Sequence, residues 1–127
     1  MSSDKTLDKI QQQVTDNAVM IYMKGTPDAP ECGFSGKAVG YLKKTGVEFA
    51  YVNVLKSPFI YEYLPRFSQF PTFPQVFVGG ELIGGSDIVE ELYNNGELQT
   101  MIATFGVPTA PTTESTAAPN DLIQLTL

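Results

Sequence analysis

The sequence predicts an α/β domain built on one four-stranded mixed sheet flanked by helices, followed by a tail. Three observations carry that expectation. An apolar run, an amphipathic helix and a second apolar run succeed one another between residues 18 and 54, an order that makes a right-handed crossover between parallel strands. Gly79-Gly80 then separates two short apolar stretches, the signal of an antiparallel hairpin. From Gly106 the composition collapses to Pro, Thr, Ala and Ser in "GVPTAPTTESTAAPN", which offers too little apolar surface to fold alone. The expected boundaries are therefore a domain over 1–105 and a disordered tail over 106–127, with "LIQLTL" at its end as the one stretch able to dock.

The elements follow in order. Leu7, Ile10 and Val14 recur at helical spacing, so residues 4–15 read as an amphipathic helix. "AVMIYM" (18–23) is a short continuous apolar run and reads as a buried strand. Lys24 to Glu31 is a Gly/Pro/Asp loop. The helix after Cys32 sets Phe34, Ala38, Val39 and Leu42 on one face and ends at Gly46. "VEFAYVNV" (47–54) is the second strand. Ser57 is placed to cap a third helix, with Pro58 at its first position. Ile60, Leu64 and Phe67 give that helix its apolar face, and Pro65 is expected to break or restart it. "PQVFVGGELIGG" (74–85) supplies the hairpin. Ser86 and Asp87 are then read as capping a helix that buries Ile88, Val89 and Leu92, and "ELQTMIATF" (97–105) closes the domain. The order α, β, α, β, α, β, β, α, α describes a thioredoxin-like architecture.

The totals bound the function. A chain of 127 residues is long enough for one domain with a core that needs no staples. Its single cysteine, Cys32, forbids an intramolecular disulfide and fits a reducing, cytoplasmic setting. The opening "MSSDKTLDKI" lacks the basic stretch and apolar run of a secretory signal, and no early apolar run approaches the ~20 residues a bilayer requires. A net charge of −6 repels phosphate backbones, so neither nucleic acid nor a membrane is expected as a partner. With no histidine and one cysteine, one chain cannot build a zinc site of the Cys/His type.

The chemistry centres on Cys32, at the boundary between a loop and a helix N-terminus. Unpaired N–H groups there favour a thiolate, and Lys24 at the end of the first strand is placed to help, while adjacent Glu31 opposes. The alternative is an inert, buried small residue. Pro30, Gly33 and Ser35 argue against it, because they leave Cys32 on an open loop edge. No second thiol stands three positions on, where the chain has Ser35.

"KGTPDAPECGFS" (24–35) resembles the active-site loop of the CGFS monothiol glutaredoxins, and "FPTFPQVFVGGELIGGSD" (70–87) resembles that family's second signature. The similarity runs from Leu7 to Ile102. It implies a thioredoxin-like glutaredoxin fold and a glutathione site assembled from several pieces. Lys24 would face the glycine carboxylate, with Tyr61 beside it. Thr72 and Phe73 would offer backbone to the cysteinyl part, ahead of Pro74 in a cis bond. Ser86 and Asp87 would hold the γ-glutamyl end, Asp87 taking the amino group and the helix N-terminus the carboxylate. Taken alone, Thr72-Phe73-Pro74 also reads as an ordinary turn, Ser86-Asp87 as a plain cap and Lys24 as a solvated charge. The chain departs from the family pattern at three positions: Tyr61 stands where Arg is usual, Phe70 where Trp is common and Ser86 where Cys is common. Arg66, the only arginine, is the one residue able to compensate for Tyr61 if the broken helix turns it inward.

Two classes of function compete for this thiol. As an enzyme, Cys32 would attack a protein–glutathione disulfide and a second glutathione would release it. As a binding module, Cys32 would ligate a [2Fe–2S] cluster, which takes four ligands, usually thiolates. One chain supplies one; a homodimer with two glutathiones supplies four. The resemblance favours cluster binding, in iron–sulfur assembly and transfer to apo iron–sulfur proteins alongside BolA-type partners.

Overall fold

The computed structural model describes residues 2–105 and 122–124. In chain order, α1 spans Ser2–Asp16, β1 Val19–Met23, β2 Gly25–Thr26, β3 Ala29–Pro30, α2 Gly33–Thr45 and β4 Phe49–Asn53. A 3₁₀ turn (Val54–Lys56) leads to α3 (Pro58–Ser68), β5 (Gln75–Val78), β6 (Glu81–Gly84), α4 (Ser86–Asn94), α5 (Glu97–Thr104) and β7 (Leu122–Gln124).

β1 is continuous and apolar because both of its faces are covered. Val19, Ile21 and Met23 meet Ala38, Val39 and Leu42 of α2, Val89 of α4, and Leu98 and Ile102 of α5. Met20 and Tyr22 turn the other way, onto Ile10 and Val14 of α1 and Ile60 and Leu64 of α3. Even the tyrosine hydroxyl is satisfied there, donating to Gln13 Oε1 at 2.8 Å. β4 runs parallel to β1 and β5 antiparallel to it, and β6 folds back on β5. These are the four strands of the expected mixed sheet, in the order β6-β5-β1-β4. A fifth, β7, pairs in parallel with the outer edge of β4, Phe49 opposite Leu122 and Tyr51 opposite Gln124. Part of the expected tail therefore joins the sheet, while residues 106–121 and 125–127 lie outside the described residues.

Several local expectations are corrected. α3 runs unbroken through Pro65, with Arg66 to Ser68 still helical. Proline there costs one backbone bond in the last turns, and the burial of Ile60 and Leu64, with Phe67 packed against the core, outweighs it. Phe34 is 61% exposed instead of sharing the buried face of α2, which is Ser35, Ala38, Val39 and Leu42. Ile88 is likewise 42% exposed and Leu92 only half-buried, leaving Val89 as the buried apolar anchor of α4. Ser86 and Asp87 are not caps: Gly85 is the N-cap and they form the first turn. Ser57 does precede α3, but its hydroxyl makes no capping bond. Inside the 24–31 loop, β2 and β3 form a small antiparallel hairpin that the loop composition did not announce.

Candidate functional site

Four segments converge at the C-terminal end of β1: the 24–35 loop, α3, the 70–74 loop and the start of α4. The first is fixed by backbone bonds. Glu31 N–H donates to the Lys24 carbonyl at 2.9 Å, and Gly25 N–H donates to Asn53 Oδ1 at 3.0 Å. Gly25 has φ +95°, and a Cβ there would sit 2.5 Å from the Glu31 nitrogen, so the hairpin closes only around glycine. The loop delivers Cys32 in extended conformation to the N-cap of α2.

Ser35 accounts for much of the thiol's setting. It is fully buried, and its Oγ accepts the Lys24 N–H at 3.0 Å, tying the start of α2 to the end of β1. The backbone N–H of Ser35 is the largest influence holding the Cys32 thiol below its ordinary value. Partial burial opposes it, and the Phe34 N–H, the Lys24 charge and the Ser35 hydroxyl add to it. These are the unpaired donors of a helix start acting on a half-exposed sulfur.

Lys24, Tyr61 and Phe73 form one wall. The Lys24 Nζ lies 5.9 Å from the Tyr61 ring centroid, and the Tyr61 and Phe73 rings are 5.2 Å apart. Arg66 stays outside this wall, exposed, with its guanidinium 4.9 Å from the Tyr63 ring centroid. Phe73 belongs to the 70–74 loop, where the Phe73–Pro74 bond is cis. Gln75, fully buried, holds this loop: its Nε2 donates to the Phe70 carbonyl at 2.8 Å and to the Thr72 carbonyl at 3.0 Å. Its Oε1 is buried without a partner among the described residues. Gly85 fits closely behind, since a Cβ there would lie 3.2 Å from the Pro74 carbonyl oxygen. α4 then begins, Ser86 buried and the Asp87 side chain 84% exposed.

All eight expected residues, Lys24, Cys32, Tyr61, Thr72, Phe73, Pro74, Ser86 and Asp87, line one open groove of about 820 Å³. Phe34, Pro65, Phe70, Pro71, Gly85 and Ile88 complete it. Sequence reasoning missed Gln75 as a loop holder, although a lone amide in the apolar run "PQVFV" is itself a signal. It also missed Lys37, which reaches Asp87 across fifty positions and leaves no local trace. A cation at one end, a helix N-terminus with an acid at the other and a thiol on the edge suit a short, doubly anionic, singly cationic thiol ligand. Among the described residues no three His, Cys, Asp or Glu side chains gather as a metal site, and no helix is long and apolar enough to cross a membrane.

Comparison with known proteins finds similar sequences and similar folds. The family profile described as Glutaredoxin matches residues 19–83. Glutaredoxin 4 of Escherichia coli (strain K12) is 52% identical over 97 residues, covering 76% of this chain and 84% of that protein. Glutaredoxin 4 of Haemophilus influenzae (strain 86-028NP) is 52% identical over 99 residues, covering 78% and 92%. Among solved structures, a buckwheat glutaredoxin–glutathione complex superposes with a TM-score of 0.74 at 26% identity, covering 83% of this chain and 94% of that one. Reduced poplar apo GrxS14 superposes with a TM-score of 0.66 at 42% identity, covering 80% and 91%.

Proposed function

Because this chain belongs to the glutaredoxin family and carries the single-cysteine CGFS sequence of its monothiol type, we propose that it binds glutathione in the groove and shares a [2Fe–2S] cluster between two copies. In this reading it serves cytoplasmic iron–sulfur cluster assembly and transfer, with BolA-type proteins and apo iron–sulfur proteins as partners. The observation that carries the reading is a lone thiol, biased toward thiolate, on the edge of a groove with a cation at one end and a helix N-terminus at the other.

The groove's parts take separate tasks. Lys24 meets the glycine carboxylate, the Thr72 backbone pairs with the cysteinyl unit, and the first turn of α4 receives the γ-glutamyl carboxylate while Asp87 takes its ammonium. Gln75 keeps Thr72 in place, and Tyr61 supplies an aromatic wall in place of a second cation. The Cys32 thiolate and the glutathione thiol then lie side by side at the mouth. The donor set fits a cluster on a count: one cysteine and no histidine per chain, four thiolate positions, hence two chains and two glutathiones. When bound, the cluster would be the cargo passed to an acceptor. Phe34 and Ile88, both exposed, give the mouth an apolar rim that a second copy would cover.

Anaerobic reconstitution with iron, sulfide and glutathione, read by native mass spectrometry, tests this directly. The expected species is a dimer with one [2Fe–2S] and two glutathiones, absent in Cys32→Ser because a protonated hydroxyl is a poor ligand for such a site. A cluster held by one chain, or by a dimer lacking glutathione, overturns it. A chain that takes up no cluster but reduces protein–glutathione disulfides would instead be the monothiol oxidoreductase.

A further inference from the structure

Lys37 sits on α2, five residues beyond Cys32, and bridges to α4. Its Nζ lies 2.7 Å from Glu90 Oε1 and 3.1 Å from Asp87 Oδ1. Glu90 is held in turn by the Tyr41 hydroxyl, which donates to Oε2 at 3.1 Å. Asp87 lines the groove, whereas Lys37, Tyr41 and Glu90 do not. The ammonium is thus anchored behind the groove wall and draws on the one carboxylate among the groove's lining residues.

We infer that Lys37 is a specificity-determining residue that weakens the hold on the γ-glutamyl ammonium by competing for Asp87. This deepens the reading above and rests on Asp87 as the ammonium acceptor. A ligand ammonium arriving at Asp87 meets a cation already in place, and the two repel across one carboxylate. Glu90 moderates the effect by holding Lys37 at the shorter distance. The signs that follow oppose a bulk-charge argument. Glutathione is net anionic, with two carboxylates and one ammonium, so removing a cation from a chain of net charge −6 should weaken binding on bulk charge alone. Competition predicts tighter binding.

The test is titration of the full chain and its variants with glutathione and with N-acetylglutathione, which lacks the ammonium. Lys37→Gln should bind glutathione about two- to fivefold more tightly, the range expected for an exposed ion pair, and N-acetylglutathione without gain. Lys37→Arg, which keeps the charge, should bind as the wild type does. Glu90→Gln frees Lys37 for Asp87 and should weaken glutathione binding by a similar factor. The double variant Lys37→Gln/Asp87→Asn should match Asp87→Asn alone. A Lys37→Gln that binds equally or less well, or that gains equally for N-acetylglutathione, overturns the role of Lys37. An Asp87→Asn that loses no affinity overturns the assignment of Asp87 itself, and this inference with it.

Discussion

Gln75→Met separates folding from binding at this site. The replacement keeps the volume and unbranched shape of a fully buried side chain. Two hydrogen bonds to the Phe70 and Thr72 carbonyls disappear, each worth about 0.5–1.5 kcal/mol net. The unpaired Oε1 disappears too, and an orphaned buried acceptor costs about 1–3 kcal/mol. Thr72 is exposed and Phe70 only half-buried, so water can reach much of what the amide releases. Losses and gains are of similar size, so global stability should change by less than about 2 kcal/mol. Binding should suffer more. With the loop untethered, ordering Thr72 against the ligand falls to glutathione, at about 1–2 kcal/mol for one backbone residue, or about five- to thirtyfold in affinity. Urea unfolding and glutathione titration on the same preparation supply both numbers. A stability loss above about 3 kcal/mol would make Gln75 a core residue first, and unchanged affinity would refute its part in positioning Thr72.

Three further outcomes are expected. Tyr61→Arg should tighten glutathione binding by about 1 kcal/mol, since Tyr61 is 41% exposed and a new charge-assisted pair would be solvent-screened; no gain in a titration would mean that Lys24 already meets the carboxylate fully. The rate of Cys32 alkylation should rise with pH around a midpoint below the free value of ~8.5 and move back up in urea. Because that folded value is depressed, the associated stability is present above the unfolded value and lost as pH falls through the folded one; a folded midpoint at or above the free value counts against the helix-start account. Gly84→Ala, at φ +140° with a new Cβ 2.6 Å from the Ile88 Cβ, should cost about 1–3 kcal/mol in denaturant unfolding and displace Ile88 from the groove rim.

The fold was legible because its signals are local and agree with one another: a fully apolar β1, a glycine that ends α2 at Gly46 and a hairpin at Gly79-Gly80. The errors share a physical cause. Periodicity assigns an apolar residue to a core without knowing what stands opposite it, and at Phe34 and Ile88 there is a groove instead of a neighbouring element. Pro65 misled because a local rule was applied without the packing that outweighs it. The two motifs brought seven of the eight groove residues together on paper, with Tyr61 added from the family pattern between them, and the structure gathers all eight around one space. Lys37 stayed invisible because its meaning depends on α2 lying against α4, a fact of tertiary contact alone.

The parallel pairing of β7 with β4 bears on how the protein is handled in solution. A sheet edge is a row of unpaired amides and carbonyls that accepts any strand offered, including one from a neighbouring molecule. In this chain the β4 edge is occupied along Phe49, Ala50 and Tyr51 by Leu122, Ile123 and Gln124 of β7. Trimming the sequence at residue 105, which discards no residue of the groove, would uncover that edge and invite edge-to-edge association. A shortened form would then cloud or oligomerise at concentrations where the full chain stays dispersed, and a tag fused after Leu127 would burden the segment that keeps the molecules apart.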